Sequence, residues 1–193
     1  MCKFSIFFVA FCTLLRVQII EANKICITTA PTDAPTQALS AYWVQVTGSP
    51  EEIPEGALVG GYINDYPSYG DNDKNYNVCR GFRGGALTPG KYGAFYVTAY
   101  DACTIGWGGE EFHTYEFEIL VGSGNWVSSS GSNIPPNAVP GGESEDGEVL
   151  YVCRVNHSGS VIVGKFHPSY SNCFITYHGY ESSFYNFEVL TYL

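Results

Sequence analysis

The chain predicts an all-β protein: two tandem homologous β repeats packed about a pseudo-twofold axis in one compact unit. The first observation behind this is an internal repeat, in which the order of signals starting at Tyr42 recurs from Asn125 to Leu193. Trp43 matches Trp126, Ile53-Pro54 matches Ile134-Pro135, Ala57 matches Ala138, and Gly60-Gly61 matches Gly141-Gly142. Further on, Cys79-Arg80, Gly90-Lys91, Cys103, Gly109 and Glu118 fall on Cys153-Arg154, Gly164-Lys165, Cys173, Gly179 and Glu188. The second is periodicity. Tyr42–Val46, Tyr76–Phe82, Ala94–Tyr100, Tyr115–Val121, Glu148–Val155, Cys173–Tyr180 and Phe184–Leu193 are short runs rich in β-branched and aromatic residues, and none holds a 3.6-residue apolar period. The third is composition: 22 glycines, 10 prolines and 16% aromatic residues supply many turns and few helix formers.

Taken in order, residues 1–22 read as a signal peptide. Lys3 precedes the apolar run FSIFFVAFCTLL, Arg16 ends it, and Ala22 is a small residue placed for cleavage. The run is too short to span a bilayer comfortably, and no later segment is long and apolar enough to do so, which predicts secretion without membrane insertion. Cleavage would remove Lys3, Arg16 and Glu21 and move the net charge from −10 to −11. Such a charge repels phosphate backbones and argues against nucleic-acid partners. Residues 23–41 form a lead-in rich in Pro, Thr and Ser, residues 42–122 the first repeat, and residues 125–193 the second. Each repeat's last strand, Tyr115–Val121 or Tyr185–Tyr192, is placed to complete the sheet of the other.

The joint pattern of Trp, Ile-Pro-x-x-Ala, paired glycines, Cys-Arg, Gly-Lys and Phe-Glu-x-Leu resembles the DM-nine repeat proteins, whose repeats also stand beside natterin-like domains. The resemblance covers nearly all of the chain after Tyr42. It implies a small all-β fold. Because some members are mannose-binding lectins of innate immunity, it also implies recognition of glycans or glycoproteins on microbial surfaces. In those lectins the lysine of the Gly-Lys turn and an acidic residue just after the paired glycines hold the sugar hydroxyls. Carried over, the lysines are Lys91 and Lys165. The acid is less direct here. The gapless register places Ser144 at its position, flanked by Glu143, Glu145 and Asp146, while Asp65 follows the glycines of the first repeat. A carboxylate accepts from vicinal hydroxyls while an ammonium donates to them, so such a pair selects hydroxyl stereochemistry. Both lysines follow a glycine in what reads as a turn, and Thr88-Pro89-Gly90-Lys91 suits type II.

Five of the 7 cysteines remain after cleavage. Repeat symmetry pairs Cys79 with Cys103 and Cys153 with Cys173, one of three connectivities open to four cysteines. Cys26 is left over, implying either an intermolecular disulfide and a homodimer or a thiol capped by a small molecule. Between Tyr42 and Leu193 the other basic residues are Lys74, Arg80, Arg83 and Arg154. Arg80 and Arg154 read as structural, each forking onto a carboxylate or carbonyls at a sheet junction. Trp43 and Trp126 read as core, and Trp107, replaced by Tyr177, as more open.

Other chemistry is poorly supported. Asp71, Asp73 and Asn75 begin like a calcium loop, but Tyr76 and Phe82 stand where its glycine and closing glutamate belong. His113, His157, His167 and His178 lack metal-ligand spacing. There is no nucleophile elbow, and Glu110 and Glu111 alternate across a strand, so neither an enzyme nor a cofactor is expected. Asn156-His157-Ser158 is a glycosylation sequon on a turn. The competing function is a non-catalytic secreted structural or protein-binding module without sugar binding.

Overall fold

Short apolar runs broken by glycine and proline close on one another as strands, and the computed structural model describes residues 40–46, 53–64, 75–93 and 102–193. The first half contributes β1 (Ala41–Val46), β2 (Val59–Tyr62), β3 (Asn75–Arg83), β4 (Ala86–Tyr92), β5 (Cys103–Trp107), β6 (Glu110–Thr114) and β7 (Phe117–Gly122). The second contributes β8 (Asn125–Ser130), β9 (Pro140–Glu143), β10 (Val149–His157), β11 (Ser160–His167), β12 (Asn172–Tyr177), β13 (Tyr180–Phe184) and β14 (Asn186–Thr191). Apart from one 3-10 turn, Pro168–Tyr170, no helix occurs among the described residues, and none there is long and apolar enough to cross a membrane. The signal peptide, nearly all of the lead-in with Cys26, Asp65 and the run Ala94–Tyr100 lie outside the described residues.

Every pairing inside the first half has its counterpart in the second. β1–β7, β7–β3, β3–β2, β3–β4, β4–β5 and β5–β6 answer to β8–β14, β14–β10, β10–β9, β10–β11, β11–β12 and β12–β13. Three junctions join the halves: β2 with β11 at Tyr62 and Val161, β4 with β9 at Leu87 and Glu143, and β6 with β13 at Glu110 and Tyr180. The ring β2–β3–β4–β9–β10–β11 therefore closes on itself as a barrel, which removes exposed sheet edges there.

The last strands do not complete each other's sheets, as the sequence suggested. β7 and β14 stay in their own halves, because a cross-strand ion pair holds each one. Arg80 lies opposite Glu118, Nε to Oε2 at 2.6 Å, and Arg154 opposite Glu188 at 2.7 Å. Each guanidinium also stacks on a tryptophan, Arg80 at 4.4 Å from the Trp43 ring centroid and Arg154 at 4.3 Å from that of Trp126. A slip by one residue would put every one of these groups on the wrong face.

The paired glycines sit at the junctions between halves. A Cβ on Gly61 would lie 2.0 Å from the Val161 carbonyl oxygen, and one on Gly142 would lie 2.0 Å from that of Leu87. Only glycine lets those strands meet.

The Gly-Lys segments are not turns either. Pro89, Gly90 and Lys91 lie inside β4, and Gly164 and Lys165 inside β11. Their glycines serve a different close approach. A Cβ would fall 2.1 Å from the Thr104 carbonyl oxygen at Gly90 and 1.9 Å from that of Phe174 at Gly164. In a flat sheet, strands on either side of a common neighbour are about 10 Å apart. Here β3 and β5 flank β4, yet Cys79 and Cys103 are bridged with Cα atoms 5.9 Å apart; Cys153 and Cys173 are bridged across β11 at 6.1 Å. The sheet therefore folds sharply over β4 and β11, with a glycine at each corner and a disulfide across it.

Burial follows. A central cluster draws Leu58, Val78 and Leu120 together with Val139, Val152, Val163 and Leu190, with Trp43 and Trp126 packed against it. Flanking clusters surround each disulfide, one including Ile105, Phe117 and Ile119, the other Ile162, Phe166 and Ile175. Each such side chain contributes about 1.5–3 kcal/mol when fully buried.

Candidate functional site

Strand alternation sends each lysine after its corner glycine to the opposite face, and both are buried, Lys91 at 5% and Lys165 at 8% exposure. The acid proposed for Lys91, Asp65, lies outside the described residues, and the carboxylate nearest each ammonium is another one. Lys91 Nζ lies 3.3 Å from Glu111 Oε2, donates to the Thr176 hydroxyl at 2.8 Å, and donates to the Thr176 carbonyl. Lys165 Nζ lies 2.9 Å from Glu181 Oε1 and donates to the Gly106 carbonyl at 2.7 Å. Each lysine thus takes a carboxylate from its own half and a carbonyl from the other. Burial pushes the Lys91 ammonium below its usual pKa, and the charge and hydrogen bond of Glu111 act against that.

The two ammonium groups differ in what they have left to give. An ammonium has three N–H donors. Lys91 has three acceptors. Gly106 stands in the second site where Thr176 stands in the first, so Lys165, which lines a cavity of about 890 Å³, has only two acceptors among the described residues. That volume is within the range of small-molecule sites.

The cavity walls come from both halves. The turn after the paired glycines is held by Ser144, whose N–H donates to the Glu148 carbonyl at 2.9 Å and whose hydroxyl accepts from the Glu148 N–H at 3.1 Å. That turn presents Glu145 and Asp146, both exposed, at the rim. Glu148 is fixed deeper in, accepting from the Ser169 N–H at 2.9 Å and lying 3.1 Å from His167 Nδ1. Burial moves the His167 pKa down, while the charge of Glu148 opposes the shift. Tyr170 stands edge-on to both His167 and Phe174, with centroids 4.5 and 5.9 Å apart. Trp107 lines the cavity from the first half.

Of the residues singled out by sequence, Lys165, Ser144, Glu145 and Asp146 therefore line one cavity. Glu143 is exposed on β9, outside the cavity lining, and Lys91 belongs to the other half. Asn156 is exposed at the end of β10, beside the β10–β11 turn. Sequence reasoning missed Glu111, Glu181, Glu148, His167 and Tyr170 as site residues. Glu111 and Glu181 were findable, since each stands two residues after the matched glycines Gly109 and Gly179. No cluster of His, Cys, Asp and Glu among the described residues is placed to hold a metal.

Fold and site define a class: a disulfide-bridged all-β barrel with extra strands and a polar, partly aromatic cavity. The DM9 repeat model matches residues 70–184, and the chain belongs to that family. No curated protein sequence matches it. Among solved structures it is similar to the crystal structure of the nematode sperm cell motility protein MFP2B, with a TM-score of 0.57 and 14% sequence identity. The match covers 88% of this chain and 51% of that one, so the chain spans about half that protein's length. At this identity the likeness is one of fold.

Proposed function

We propose that this chain is a secreted, non-catalytic carbohydrate-binding protein that recognises mannose-type glycans on foreign cells, with its binding site in the cavity at Lys165. The observation that carries this reading is the joining, in one cavity, of a buried ammonium with a donor to spare, four carboxylates and the rings of Trp107, Tyr170 and Phe174. Sugar hydroxyls donate to carboxylates and accept from an ammonium, and aromatic faces cover the apolar face of a pyranose. A monosaccharide offers few atoms, so a single site binds weakly, with dissociation constants on the order of millimolar to micromolar. Two bridges in so small a chain, together with the leader-like first 22 residues, support an oxidising, extracellular setting. A homodimer linked through Cys26 would double the sites and add avidity. The matched pairings of the two halves support a pseudo-twofold relation between them.

Calorimetric titration of the oxidised protein with mannose and mannan oligosaccharides tests the reading. Saturable binding that weakens in Asp146→Asn and disappears in a folded Lys165→Met supports it. Absence of binding across a broad glycan panel removes it in favour of a protein-binding or structural module.

A further inference from the structure

The cavity is unevenly charged for a site that takes a neutral sugar. Four carboxylates line it, from Glu145, Asp146, Glu148 and Glu181, against the one ammonium of Lys165. That ammonium is already compensated by Glu181, at 2.9 Å with both side chains buried. Glu148 accepts from the Ser169 N–H and lies 3.1 Å from His167 Nδ1. What remains uncommitted is the pair at the rim, Glu145 and Asp146, both exposed and carried on the turn that Ser144 holds.

These groups surround a volume rather than a point. No set of three converges as a metal ion would require, and the lining between them is aromatic or small: Trp107, Gly108, Tyr170 and Phe174. A small inorganic cation would leave that lining without a partner. A ring bearing hydroxyls and one positive group uses all of it, the hydroxyls toward Lys165 and Glu181 and the positive group toward the rim.

We propose that the site prefers hexoses bearing a free amino group, 2-amino-2-deoxy sugars with their nitrogen unacetylated, over neutral or acetylated ones. The inference rests on the carbohydrate reading above and specifies its ligand class. An ammonium beside Glu145 and Asp146 forms charge-assisted hydrogen bonds where a hydroxyl forms neutral ones. An acetamido group gives up the charge. The net charge of −10 on the chain adds long-range attraction of the same sign.

The test compares four probes by calorimetry: a glucosamine tetramer, the corresponding N-acetylglucosamine tetramer, a mannose oligomer and 1,5-diaminopentane. The expected result is that the glucosamine tetramer binds about tenfold more tightly than either neutral oligomer. That advantage should shrink as salt rises from about 0.05 to about 0.5 M. It should vanish in the double variant Glu145→Gln, Asp146→Asn, which touches only exposed side chains. Equal binding of amino and neutral oligomers overturns the proposal and leaves the carbohydrate reading standing. Diaminopentane binding as tightly as the amino sugar overturns it too, since the site would then recognise charge without the ring. Failure of all four probes ends both readings.

Discussion

Lys91 and Lys165 occupy the same position of the same motif, yet only one of them has an N–H donor to spare. Both follow a corner glycine, both are buried, and both reach a carboxylate in their own half and a carbonyl in the other. The difference lies on a strand of the opposite half, where Thr176 adds a hydroxyl to the first site and Gly106 adds nothing to the second. A lysine repeated in both halves can therefore be fully satisfied in one and keep a donor in the other. The residue that decides is not adjacent in sequence.

Substituting the lysines breaks this comparison most strongly. Lys91→Met and Lys165→Met each leave a buried or half-buried carboxylate without its cation and should destabilise the protein by about 3 kcal/mol. Saccharide binding should separate them: abolished at Lys165, unchanged at Lys91. Chemical denaturation paired with calorimetry at a temperature where both variants are folded reads the two effects independently. Equal loss of sugar binding in both would mean that the strut and the donor are not different.

Much of the fold was legible in the sequence because strand patterning is local, and the repeat supplied every element twice. The cysteine pairing was legible for the same reason. What could not be read was where strands of the two halves approach each other. Pro89-Gly90 has the chemistry of a turn, and nothing local reveals that Gly90 faces the backbone of β5 at a fold in the sheet. The same limit governs the site. Lys165, Ser144, Glu145 and Asp146 were named from the motif and line one cavity, whereas His167, Tyr170 and Trp107 join them only through tertiary contact. Glu181 was within reach of the repeat alignment, but its role depends on Gly106, where a Cβ would come 2.4 Å from Glu181 Oε1.

That last contact sharpens the comparison at smaller cost. Thr176→Ala removes one hydrogen bond from Lys91 and should cost about 1 kcal/mol while leaving sugar affinity at the other site unaltered. Gly106→Ala pushes the Glu181 carboxylate away from Lys165, a movement that a flexible side chain can make, so a stability loss of about 1 kcal/mol should come with weakened sugar binding. Melting curves and titrations of the two variants side by side would contradict the assignment if Thr176→Ala were the one that weakened binding.

The smallest effect belongs to His167, whose counterpart in the first half, by the Gly-Lys register, is Gly93. The second half therefore carries a histidine ring two residues beyond its lysine where the first carries a glycine. Glu148, Lys165, Glu145 and Glu181 all act on it, and burial still leaves its pKa below the ordinary histidine value. Above a pH of about 6.5 the ring is neutral in both folded and unfolded chains and contributes no pH dependence. As pH falls through that value the unfolded chain takes up a proton before the folded one does, so stability declines until the folded ring also titrates. Denaturation midpoints measured between about pH 7.5 and pH 5 should show this decline, and His167→Gln should flatten its upper part, above the range where the carboxylates titrate. An unchanged profile in that variant would place the acid sensitivity elsewhere, and the second site would then differ from the first in its lysine alone.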